Sequence, residues 1–224
     1  MLDSPALSPG RRELLKRRIR LIVGLTIGYN VIEAIIALVA GAGASSVALI
    51  GFGLDSIVEV LSAAAVAWQF AGPDPESREK KALRLIAISF FALAAYVSIS
   101  AVLTLAGAMQ PEHSKVGIIL TVTSLVIMPL LSWFERHTGR ELGSASAVAD
   151  SKQTLICSYL SAAVLVGLLA NSLFGWGWAD PVAALFIAAF AVREGLEAWR
   201  GEACTQPVAA LTGEQAGDNC SGCC

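Results

Sequence analysis

The sequence predicts an all-α membrane protein, a bundle of six transmembrane helices with both termini in the cytoplasm. Three observations carry that expectation. Of 224 residues, 55% are apolar and only 15% charged, against about 25% charged in a soluble domain, and the mean hydropathy is +0.66. Six stretches are long and apolar enough to cross a bilayer. Taking all six as crossings puts 15 of the 16 Lys and Arg on one side.

A crossing helix needs about 20 apolar residues, because each adds ~1.5 Å against a hydrocarbon core ~30 Å thick. The first runs from about Ile19 to Ala40, and a Gly-Ala-Ser hinge at Gly41 to Ser46 leads into the second, about Val47 to Phe70. No Lys or Arg lies between Arg20 and Arg78. The third lies within the uncharged run Leu85 to Pro111 and the fourth within Val116 to Phe134. A fifth begins near Ala147 and ends before the Gly175-Trp-Gly-Trp-Ala179 turn. The sixth follows Asp180-Pro181 and ends near Arg193.

Cytoplasmic loops carry the excess of Lys and Arg. Six precede the first span, four (Arg78, Lys80, Lys81, Arg84) separate the second and third, three (Arg136, Arg140, Lys152) separate the fourth and fifth, and Arg193 and Arg200 follow the sixth. Only Lys115 is external. Dropping one span would move every later loop to the other side and destroy this asymmetry. The organisation expected is a basic cytoplasmic segment over residues 1–18, a transmembrane domain over 19–200 and a Cys-containing flexible cytoplasmic tail over 201–224. The first apolar run ends without a small-residue cleavage site, so no removable signal peptide is expected. The expected location is the cell (plasma or inner) membrane, crossed several times.

A net charge of -2 gives no basic face for neutralising phosphates, which argues against a nucleic-acid partner. The sequence has no Walker-type phosphate loop and no Gly-x-Ser-x-Gly elbow, so neither ATP-driven pumping nor acyl-transfer hydrolysis is expected. No enzyme activity and no bound cofactor are predicted, and uphill transport would draw on an ion gradient. The tail is too short and polar to bury a core of its own.

An ionisable residue near the bilayer centre costs about 2.5 to 3.5 kcal/mol on insertion scales, so it calls for a partner, a wet cavity or an ion. Those inside the spans are Glu33, Asp55 and Glu59, with Asp150 and Lys152 at the cytoplasmic end of the fifth. Asp55 and Glu59 are four apart and stack on one helix face, where two like charges repel unless a cation or proton lies between them. The fifth span offers Gln153 and Cys157, again four apart and at similar depth. Four ligands from two packed helices suit a tetrahedral divalent ion. The alternative is that the carboxylates only hydrogen-bond across the bundle and Cys157 is a small buried apolar group.

The segment Ser46-Val-Ala-Leu-Ile-Gly-Phe-Gly-Leu-Asp55-Ser-Ile-Val-Glu59 resembles the second helix of the cation diffusion facilitators, with Asp55 and Glu59 on that family's ligand positions. Ala149-Asp150-Ser-Lys-Gln153-Thr-Leu-Ile-Cys157-Ser-Tyr-Leu-Ser161 is similar to its fifth helix, with Gln153 and Cys157 where His and Asp are usual. Asn30 and Asp180-Pro181 fit its first and sixth helices. The resemblance implies exchange of a divalent metal for protons, export from the cytoplasm, and a homodimer. Three departures qualify it. A neutral Gln153 cannot exchange the proton that an imidazole of pKa about 6.5 would. Cys157 replaces a hard oxygen by soft sulfur, which favours zinc, cadmium or another thiophilic ion. The family's usual cytosolic metal-binding domain is absent from this sequence, and members lacking it exist. The alternative function is a non-transporting metal-binding or regulatory membrane partner of the same architecture.

Other residues have plainer readings. Asp180-Pro181 reads as an N-cap with Pro at the first helical position, and Asp150 as a cap or a partner of Lys152. Glu33 with Asn30 reads as second shell, part of a proton path or a bundle contact. Trp68, Trp133, Trp176, Trp178 and Trp199 fall near span ends, as interfacial anchors do. Cys204, Cys220, Cys223 and Cys224 either capture a soft metal or do nothing specific. His113 and His137 are isolated, and the Leu61-Ser-Ala-Ala64 and Leu160-Ser-Ala-Ala163 similarity is too short to establish a repeat.

Overall fold

The structure, a computed structural model, describes residues 9–70, 75–142 and 145–200, without the side chains of 66–67, 69–70, 75–79, 142, 145–150 and 152–153 and a few near the start. Within them lie six helices: α1 Pro9–Gly43, α2 Val47–Phe70, α3 Pro75–Leu105, α4 Lys115–Leu142, α5 Ala145–Phe174 and α6 Ala179–Arg200. No strand occurs among the described residues. The tail cysteines Cys204, Cys220, Cys223 and Cys224 lie outside them.

Helices α1, α3 and α4 run well past the apolar stretches at their basic ends. Charge ends a membrane span but not a helix, since Arg, Lys and Glu are good helix formers. Near the bundle's other end α5 stops at Gly175, whose φ of 68° lets its N–H bond Asn171 O at 3.0 Å while Trp176 N–H reaches back to Ala170 O at 3.4 Å. That left-handed closure suits glycine, which has no Cβ.

Five helices are long and apolar enough to cross a membrane: Glu13–Gly43, Val47–Ala65, Lys80–Leu105, Lys115–Glu141 and Thr154–Phe174. α6 does not meet that standard. Asp180 precedes its apolar run, Pro181 to Val192, and Arg193, Glu194, Glu197 and Arg200 follow. Its small-residue face is nevertheless buried: Ala184, Ile187 and Ala191 are fully enclosed, and it packs against α3, α5 and α2. Gly195 lies so close to α3 that a Cβ there would come 2.8 Å from the Phe91 ring.

Successive helices run in opposite directions. At one end Arg11 of α1 pairs with Glu141 of α4 at 2.8 Å from Nε. At the other, Glu112 N–H bonds Ala44 O at 2.8 Å and Asn171 Nδ2 bonds Pro111 O at 3.0 Å. The bundle is polar inside and greasy outside: Asn30, Glu33, Asp55, Ser56 and Ser124 are buried, while Val39, Ile119, Val166 and Leu173 are each about two-thirds exposed. Outward-facing apolar surface of that extent belongs against lipid.

Candidate metal centre

Asp55 and Glu59 occupy successive turns of α2 and face Cys157 on α5. One ligand atom from each of the three lies within 4.8 Å of the other two. Asp55 and Cys157 are buried and Glu59 is partly so. The Cys157 thiol donates a hydrogen bond to Glu59 Oε1, and Asn30 Nδ2 of α1 donates to Glu59 Oε2 at 2.7 Å. The two oxygens of Glu59 are thus held by two different helices. Of all the helix pairs in appreciable contact, α2 and α5 touch least, so the acid–thiol cluster is a principal link between them.

With all three groups deprotonated, the cluster would hold three negative charges in a low-dielectric bundle. No Lys, Arg or His belongs to the trio. Protons on these groups, or a cation among them, are what such an arrangement needs. Its two hard oxygens and one soft sulfur match a borderline divalent transition metal better than magnesium or calcium. Gln153 belongs to α5 one turn before Cys157, but its side chain is outside the described residues, as are those of Asp150 and Lys152.

Glu33 lies outside the trio. Its carboxylate accepts from Ser56 of α2 at 3.0 Å and from Ser124 of α4, and Tyr29 OH lies 2.7 Å from Ser124 Oγ. Two hydroxyl donors therefore clasp this buried acid and tie α1 to α2 and α4. Sequence reasoning found Glu33 but not Ser56 or Ser124. Serines are common in membrane helices, and nothing in their spacing marks these two.

Asp180 corrects an expectation. Its carboxylate serves the start of a neighbouring helix. It accepts from Ser46 Oγ and, at 3.3 Å, from Ala48 N–H, while Ser46 Oγ accepts Leu49 N–H at 3.1 Å. Asp180 therefore caps α2 from α6, using the free N–H groups of a neighbouring helix. His137 stacks on Trp133, with ring centroids 5.7 Å apart, and His113 is exposed.

A multi-pass helical membrane bundle with an acid–thiol cluster between two helices defines the class. A profile of the cation efflux transmembrane domain matches residues 84–200, slightly over half of the chain. The chain belongs to the cation diffusion facilitator family, a family of transporters. It is similar to the uncharacterized transporter sll1263 of Synechocystis sp., with 26% identity over an alignment of 171 residues that covers 72% of this chain and 55% of that protein. It is also similar to transmembrane protein 163 of Xenopus laevis, with 23% identity over 167 residues, 73% of this chain and 59% of the relative. The chain thus spans little more than half the length of these relatives.

Proposed function

We propose that the protein is a secondary transporter that carries a divalent transition-metal ion, zinc or cadmium, out of the cytoplasm in exchange for protons. The observation that carries this reading is the convergence of Asp55, Glu59 and Cys157 within 4.8 Å. Gln153, one turn from Cys157 on α5, is proposed as an assisting ligand.

The chemistry of exchange follows from the hydrogen bond between Cys157 and Glu59. Thiols and carboxylates bind metal only when deprotonated, so metal and protons compete for the same atoms. When an ion arrives, the proton that Cys157 shares with Glu59 leaves, and its return from the other side displaces the ion. Sparse contact between α2 and α5 suits a site that opens alternately to each face, as in transporters built from rocking bundles. In this reading α6 is the sixth crossing, the basic helix ends and both termini face the cytoplasm of the cell membrane, and two copies form a homodimer, as the family resemblance implies.

The test is flux into vesicles containing only the purified protein and a pH-sensitive dye. Zinc or cadmium entry should be matched by proton exit and should cease in Glu59→Ala. Metal binding without flux would favour the non-transporting metal-binding partner instead.

A further inference from the structure

Asn30 presses an amide against the acid–thiol cluster from a third helix. It is only 5% exposed, and its Nδ2 donates to Glu59 Oε2 at 2.7 Å. Its Oδ1 is buried and has no hydrogen-bond partner among the described residues. An enclosed amide oxygen almost always has a donor, because leaving it bare costs free energy. The groups of the cluster do not readily supply one. The thiol donates to Glu59 Oε1, and carboxylates ionised to receive a cation only accept.

A cation removes the penalty. Resting on the metal-site reading of Asp55, Glu59 and Cys157, we propose that Asn30 Oδ1 is a fourth ligand, so that three helices rather than two grasp the ion. The Nδ2 hydrogen bond to Glu59 already holds the amide beside the cluster. Nδ2 stays on Oε2 of Glu59, while Oδ1 and Oε1, one from each group, close on a shared cation that replaces the departing thiol proton. With Asp55, Glu59 and Cys157 the donor set becomes three oxygens and one sulfur, enough for the tetrahedral sphere that zinc and cobalt(II) accept, and Gln153 then assists from outside it. The amide adds a ligand without adding charge. It also fastens α1 to the loaded site, so α1 travels with α2 when the site changes face.

The test is titration of the purified full-length protein with cobalt(II), in a background where Cys204, Cys220, Cys223 and Cys224 are serine. Asn30→Ala should bind at least about tenfold more weakly, a difference of ~1.4 kcal/mol, and should shift the ligand-field absorption while keeping the thiolate charge-transfer band. Asn30→Asp should recover the affinity, also with a shifted ligand-field band. That variant carries the test if Asn30→Ala does not fold. An unchanged ligand-field band in a folded variant, even with weaker binding, would overturn the ligand assignment. Glu59→Ala and Cys157→Ser separate the two ideas. Wild-type binding by both would sink the metal site itself, whereas lost binding there beside unaltered Asn30 variants would sink only the fourth ligand.

Discussion

The Cys157 thiol on α5 donates to the carboxylate of Glu59 on α2, and the bond spans the least extensive of the principal helix contacts. A proton therefore sits where a metal would have to sit. Under the proposed function, that one placement predicts soft-metal preference, proton competition and coupling between α2 and α5.

Replacing the sulfur should change which ion is held. Cys157→Asp gives an all-oxygen acid cluster and should shift the cadmium-to-manganese affinity ratio toward manganese by more than about tenfold, ~1.4 kcal/mol. Competition among cadmium, zinc, cobalt and manganese for the purified variant measures it. An unaltered ratio would place the bound metal elsewhere.

Acid should empty the site. Each proton released on binding weakens affinity by about tenfold per unit of pH fall while the competing group is protonated. Zinc binding should therefore tighten as the pH rises from about 6 to about 8. Calorimetry in buffers of different ionisation enthalpy should count at least one proton released per zinc in the wild type and fewer in Cys157→Ser.

Asp180 should matter to stability more than to metal chemistry. Asp180→Ala strips Ser46 Oγ and Ala48 N–H of their acceptor, and a buried donor left bare costs about 1 to 3 kcal/mol. Thermal unfolding should move down, and the folded fraction should still bind cobalt(II). Ser46→Ala should also lower it, because Leu49 N–H loses its acceptor and Asp180 loses a donor while Ala48 N–H keeps its partner.

Close approach of α1 and α2 should be needed to present Asn30. A Cβ on Gly53 would lie 3.0 Å from Ala37 Cβ and 3.1 Å from Leu38 N, so backbone and a small core residue must give way. Gly53→Val should destabilise by about 1 to 3 kcal/mol through overpacking and weaken metal binding by displacing α1. Gly24→Ala, with open space around it, should do neither.

Much of this was legible in the chain itself. Long apolar runs marked α1 to α5, and α2 begins and ends at Val47 and Phe70 as expected, because hydropathy there reflects the lipid directly. The i, i+4 acids were visible for the same reason, since each carboxylate in an apolar run is costly. Beyond the approach of Asp55 and Glu59 to Cys157, partners brought together by packing were not visible. Asn30 looked like a companion of Glu33, yet it bonds Glu59, because crossing of α1 over α2 sets which turn meets which. Asp180 read as the start of its own helix, whereas its carboxylate reaches the N-terminus of α2, a relation between residues 132 positions apart. Helix α6 falls short of the length and hydropathy standard that the other five meet, because Asp180 and Arg193 leave only Pro181 to Val192 uncharged between them.

The most direct measurement is zinc K-edge X-ray absorption on the zinc-loaded protein with the four tail cysteines replaced by serine. The account predicts one sulfur neighbour at about 2.3 Å and oxygen neighbours at about 2.0 to 2.2 Å, with the sulfur lost in Cys157→Ser. A shell without sulfur, or sulfur that persists in Cys157→Ser, would contradict it.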